Sequence, residues 1–65
     1  MTPKQYRAAI ERLGLSQEAA GELLGASGRS GQNWAAKGPP PAEAILLRLM
    51  LAGKITPDDV NGARK

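Results

Sequence analysis

Three side chains near the middle of the chain have the chemistry needed to read the edges of nucleic-acid bases. Arg29 can donate two hydrogen bonds to guanine O6 and N7, and the amides of Gln32 and Asn33 can pair with adenine N6 and N7. On a helix these three positions share one face with Ala36, because residues three and four apart are neighbours. The spacing therefore predicts a polar stripe suited to DNA.

The charge distribution around this stripe favours the same partner. Between Leu23 and Ala42 the chain has two cations, Arg29 and Lys37, and no acidic residue. The net charge of +3 over 65 residues is compatible with nucleic acid but does not establish it. The acid-free window is thus the more useful guide to where a polyanion would dock. Lys37 is predicted to be either a partner of the helix dipole or a phosphate contact.

The residue inventory argues against catalysis. The chain has neither histidine nor cysteine, so it lacks the commonest general base, thiolate ligands and disulfides. Only two of its six acidic residues, Asp58 and Asp59, are adjacent. We therefore predict that the protein is not an enzyme and binds no metal or cofactor.

The apolar runs are too short for a membrane span. No apolar run exceeds four residues, the length of residues 44–47, which falls far below the roughly 20 residues that cross a bilayer. The start, residues 1–4, also lacks the apolar stretch of a secretory signal. We expect no membrane partner and a cytoplasmic location.

The elements that must position the polar stripe are predicted to be helices. Thr2, Ser16 and Ser27 are N-cap candidates, whereas Gly14 and Gly25 are suitable helix terminators. The predicted helices span approximately 3–13, 17–24, 28–37, 41–52 and 57–61. The expected fold class is all-α, a compact bundle of four to five helices forming one domain over residues 1–65.

Apolar spacing predicts which side of each helix faces the core. The inward residues are expected to be Tyr6, Ala9, Ile10 and Leu13 in the first helix, Ala20, Leu23 and Leu24 in the second, and Gly31, Trp34 and Ala35 in the third. Trp34 is therefore predicted to be a core anchor rather than a DNA contact.

The fourth helix is apolar over most of its circumference. Its predicted inward residues are Ala42, Ile45, Leu46, Leu49 and Met50. Leu47 and Leu51 fall beside that stripe and leave two alternatives. Either they are exposed and form a homodimer through helix four, or Ile55 and Val60 of the last helix cover them.

The second and third helices have the features of a helix-turn-helix. Gly21 supplies a small residue where the helices would touch, and Gly25 supplies the turn glycine. Ala20, Leu24 and Ala26 flank the turn with apolar contacts. This geometry would present the outer face of the third helix to a major groove.

A known family shares the residues around this turn. The matching residues are Gly14-Leu15-Ser16-Gln17-Glu18, then Ala20, Leu23-Leu24-Gly25, Ser27 and Trp34. Over about residues 3–52 the chain resembles the lambda-repressor/Cro-type helix-turn-helix domains of phage and bacterial transcription regulators. The resemblance implies a repressor-like regulator, from a phage or prophage-like element, that binds double-stranded DNA through its third helix.

The same resemblance implies roles for individual residues. Ser16 and Gln17 map to positions that meet phosphate or base at the groove edge. The base-reading positions map to Gly28, Arg29, Gln32 and Asn33, and the backbone-contacting positions to Ser27 and Ser30. Each polar residue also has an ordinary alternative as an exposed side chain.

The chain departs from the family pattern at three positions. Gly31 replaces a branched aliphatic core residue, Gly28 offers no side chain to read a base, and Ala35 replaces a charged residue. A glycine inside a helix costs about 1 kcal/mol relative to alanine, which predicts a recognition helix loosely ordered until it meets DNA. The alternative function is therefore a protein-interaction or antitoxin-like module with little or no DNA specificity.

Overall fold

Within the part of the chain that the structure describes, five helices follow one another, connected by short links. A computed structural model describes residues 1–63. The helices are α1 (Pro3–Leu13), α2 (Gln17–Leu23), α3 (Gly28–Lys37), α4 (Pro41–Leu51) and α5 (Pro57–Ala63). Residues 1–63 contain no strand, so the predicted all-α class is confirmed. The predicted ranges of α2 and α4 were one residue too long, and α5 continues two residues further than predicted.

Side-chain caps begin most of these helices. Thr2 and Gln5 form a reciprocal capping box, in which each side chain accepts a hydrogen bond from the other's backbone N–H, at 3.1 and 2.9 Å. Ser16 and Ser27 accept from the backbone N–H three residues later, at 3.0 and 3.1 Å. Thr56 accepts in the same way at the start of α5, from the backbone N–H of Asp59 at 3.1 Å. The predicted helix starts follow from this local chemistry.

The core lies around α1, which packs against both α3 and α4, and α2 and α5 also contribute buried side chains to it. Tyr6 and Leu47 are completely buried at its centre. The other members of the buried cluster are Ile10, Ala20, Trp34, Ala35, Met50 and Val60. The rings of Tyr6 and Trp34 meet edge to face, with centroids 6.1 Å apart and planes at 89°. Trp34 is only 8% exposed, which confirms its prediction as a core residue.

The predicted inward face of α4 is wrong at several positions. Ala44, Leu47 and Met50 are buried, whereas Ile45 is 56% exposed and Leu49 is 36% exposed. Ala42 and Leu46, also predicted inward, are exposed and half-buried respectively. The helix is apolar around most of its circumference, so periodicity did not determine its rotation. Packing against α1 did so instead.

The predicted dimer patch on α4 is not formed. Leu47 has no exposed surface and belongs to the same buried cluster as Val60. Ile55 packs against this cluster. Leu51 is half-buried and lines a shallow hollow between α1 and α4, beside Arg12 and Arg48. The two leucines therefore do not present a joint surface to a second copy.

Within residues 1–63, no helix combines the length and apolar character of a bilayer span.

Candidate nucleic-acid interface

The helices α2 and α3 meet backbone to backbone at Gly21 and Gly31. A Cβ atom added to Gly21 would lie 2.1 Å from the Ser27 carbonyl oxygen and 2.6 Å from the Gly31 nitrogen. A Cβ atom added to Gly31 would lie 1.9 Å from the Gln17 carbonyl oxygen. No side chain fits at either position, because these neighbours are backbone atoms. Helix propensity alone makes Gly31 unfavourable in α3, but this crossing of α2 and α3 requires a glycine there.

The link between α2 and α3 is a short turn with a defined hydrogen-bond pattern. Gly25 has a φ of 82°, in the left-handed region that favours glycine. Its N–H donates to the Glu22 carbonyl at 3.1 Å, and the N–H of Ala26 donates to the Gly21 carbonyl at 2.9 Å. This pair of bonds is a Schellman motif, which satisfies carbonyl groups at the end of α2. The turn and the glycine crossing together hold α3 against α2.

The first helix holds α3 from its other side. The Tyr6 hydroxyl donates a buried hydrogen bond to the Gly31 carbonyl oxygen at 2.9 Å. The Arg7 guanidinium donates to the Ala35 carbonyl oxygen, one of the last carbonyls of α3, which have no partner further along the helix. A cation at a helix C-terminus is also favoured by the helix dipole. The inner face of α3 is thus fixed by contacts with two helices.

We expect Tyr6→Phe to lower the free energy of unfolding by about 1 kcal/mol, because a buried hydrogen bond is lost while the ring remains. Burial, with a smaller contribution from the Glu18 charge, raises the pKa of Tyr6 above its ordinary value of 10.0. The stability from the neutral hydroxyl is therefore complete below pH 10 and is lost as the pH rises through the folded-state pKa. Urea unfolding of wild type and Tyr6→Phe should show a smaller difference in unfolding free energy above pH 10 than at pH 7. A difference that grows with pH would contradict this assignment.

The outer face of α3 is open to solvent. We use the name α3 outer face for four of its exposed residues that lie on one side of the helix, Arg29, Gln32, Asn33 and Ala36. Gly31, Trp34 and Ala35 lie on the buried side of the same helix. The predicted division of α3 into a polar outer face and a buried inner face is confirmed.

The other predicted contact residues surround this face at the helix ends. Ser16 and Ser27 are exposed N-caps, and Ser30 is half-buried with its hydroxyl 3.1 Å from that of Ser27. Gln17 and Gly28 are half-buried first residues of α2 and α3. Lys37 is exposed in the last turn of α3, about 14 Å along the axis from Gly28. Glu18 lies against Gly28, so the starts of α2 and α3 are close to one another, whereas Lys37 lies at the far end of α3.

An acidic residue that sequence reasoning missed reaches the α3 outer face. Glu18 Oε1 accepts a hydrogen bond from Gln32 Nε2 at 2.7 Å. The acid-free window of the sequence is therefore not acid-free in space, and this interpretation is corrected. The reason is the packing of α2 on α3, which brings together residues 14 positions apart.

A signal for this contact was present in the sequence. Glu18 precedes Gly21 by three residues, and positions three apart lie on the same side of a helix. If Gly21 faces α3, Glu18 must lie near α3 as well.

We also compared the chain with protein-family models, curated proteins and solved structures, and no match was found.

Proposed function

We propose that the protein is a DNA-binding transcriptional regulator that inserts α3 into the major groove of double-stranded DNA. The observation that carries this proposal is the combination of an exposed polar outer face and a firmly packed inner face on one helix. A major groove admits an α-helix, and a short helix can read bases only if the rest of the domain holds it in position. The glycine crossing and the bonds from α1 supply that support.

The chemistry of the exposed residues suggests a role for each. Arg29 suits a bidentate contact with guanine, whereas the amides of Gln32 and Asn33 suit adenine. Lys37 and the capping serines Ser16 and Ser27 suit the phosphate backbone, which sets affinity and orientation.

Selection of bound duplexes from a random pool, at a stated salt concentration, tests this proposal. We expect enriched sequences, and an affinity that falls steeply with salt because counterions are released from the phosphates. Arg29→Ala should reduce discrimination at one base pair by about 1–3 kcal/mol. Lys37→Ala is the matched control, since it removes a cation from the same helix. It should weaken binding to all sequences and leave the preferred bases unchanged.

Equal losses for every sequence in both variants would contradict the separate roles of Arg29 and Lys37. A wild-type protein that binds no duplex at low salt would contradict DNA binding itself.

A protein-interaction or antitoxin-like module is the second candidate function. The observation that favours it is the pair of exposed apolar side chains on α4, Ile45 and Leu49. These residues are one turn apart and would contribute to a small apolar contact surface. The double variant Ile45→Ser and Leu49→Ser should leave DNA binding unchanged if α3 carries the function. Regulation lost in cells with normal DNA affinity in solution would instead favour the interaction module.

A further inference from the structure

We infer that Glu18 is a specificity-determining residue that acts through Gln32. The inference rests on the proposed function, since it concerns which base the α3 outer face selects. The pair is arranged to favour a base with an amino group in the major groove, adenine or cytosine, and to disfavour guanine.

The hydrogen bond between the two side chains determines which end of the amide faces α2. An ionised carboxylate can only accept hydrogen bonds, so the NH₂ group of Gln32 must be the part that faces Glu18. The distance of 2.7 Å is that of a charge-assisted bond. One of the two N–H donors of Gln32 is thereby occupied by Glu18, and its carbonyl oxygen Oε1, held away from the carboxylate, is the acceptor available to a ligand.

Gly28 makes room for the Glu18 side chain to reach α3. A Cβ atom at position 28 would lie 3.1 Å from Glu18 Cβ and 3.4 Å from its Cγ. The stem of Glu18 thus passes close over the backbone of Gly28, where the first distance is tighter than ordinary packing. The position at which the resemblance implies a base-reading side chain is instead occupied by the approach of Glu18.

The bases differ in what they offer to such a pair. Adenine N6 and cytosine N4 donate hydrogen bonds in the major groove, whereas guanine N7 and O6 only accept them. A free glutamine amide can rotate by half a turn and donate to guanine. With Glu18 present, that rotation would place the amide oxygen against the carboxylate, and two acceptors repel. Gln32 should therefore accept from an amino group.

The test is binding of labelled duplexes in which each position of the selected site carries each of the four base pairs. Wild-type protein should prefer adenine or cytosine over guanine by about tenfold at one position. Comparison of the duplexes that carry adenine there with those that carry cytosine shows which of the two bases is preferred. Glu18→Gln should reduce that preference to about twofold, because a neutral amide no longer dictates the orientation of Gln32. Glu22→Gln is the matched control. It removes the same charge from the same helix and should preserve the preference.

A second pair of variants tests whether Glu18 acts through Gln32. In a Gln32→Ala background, Glu18→Gln should have no further effect on base preference. In the free protein, the side-chain amide resonances of Gln32 should shift in Glu18→Gln but not in Glu22→Gln. Thermal unfolding followed by circular dichroism establishes that each variant is folded.

Four outcomes would overturn the inference. A gain of affinity in Glu18→Gln that is equal for all sequences, and equal to the gain in Glu22→Gln, would make Glu18 a non-specific negative charge. A Glu18→Gln effect that persists without Gln32 would exclude the coupling. Specific wild-type binding with an unchanged preference in Glu18→Gln overturns this inference alone, whereas no wild-type binding overturns it together with the proposed function.

Discussion

Gly31→Ala is expected to lower the free energy of unfolding by about 3 kcal/mol or more. In an isolated helix the same change would gain about 1 kcal/mol, because alanine has the higher helix propensity. Here the new Cβ would lie 1.9 Å from the Gln17 carbonyl oxygen and 2.8 Å from the Gly21 nitrogen. Neither neighbour is a flexible side chain, so α2 and α3 would have to separate. Overpacking costs about 1–3 kcal/mol even where side chains can adjust, and this clash has no such relief.

Urea unfolding followed by circular dichroism measures this effect. A domain of this length is stable by roughly 3–10 kcal/mol, so the variant should lose a large part of its stability. Gly62→Ala is the matched control, because a Cβ at position 62 of α5 meets nothing within 4 Å. It should be neutral or stabilising by up to about 1 kcal/mol. Wild-type stability in Gly31→Ala would show that the two helices do not meet as described.

Leu47→Glu is expected to abolish cooperative folding. The leucine side chain is completely buried, and its burial contributes about 1.5–3 kcal/mol. Glutamate would lose that contribution and also place a carboxylate in the core without a partner, at a further cost of several kcal/mol. The sum reaches the whole stability expected of a domain of this length.

Thermal unfolding and sedimentation together test this result. Ile45→Glu is the matched control, since it introduces the same charge on the same helix at a side chain that is 56% exposed. We expect it to remain folded, with a loss of about 1 kcal/mol or less. If Leu47 instead lay in a dimer interface, Leu47→Glu would yield a folded monomer. That outcome would contradict the core position.

Some features of the site followed from the sequence because they depend on neighbouring residues. The N-caps at Thr2, Ser16 and Ser27 were predictable, since a hydroxyl reaches a backbone N–H only three residues ahead. The division of α3 was predictable as well, because its polar and apolar residues separate cleanly at helical spacing. The role of Trp34 in the core followed from that division.

The sequence alone did not predict the rotation of α4 or the acidic residue beside the α3 outer face. With apolar residues on most sides of α4, several rotations bury similar apolar area, and only packing against α1 selected Leu47 over Ile45. A linear sequence likewise places Glu18 outside the acid-free window, while the crossing of α2 and α3 brings it to Gln32.

By itself, the sequence determined the all-α class, the starts of the helices and the two faces of α3. These depend on interactions within one turn of the chain, which neighbouring residues specify completely. The tertiary structure alone decided that Leu47 is core, that Gly31 is required by the approach of Gln17, and that a carboxylate lies on the α3 outer face. Those outcomes depend on how helices distant in sequence fit together, and side-chain volume and backbone sterics decide that fit only when all the helices are in place.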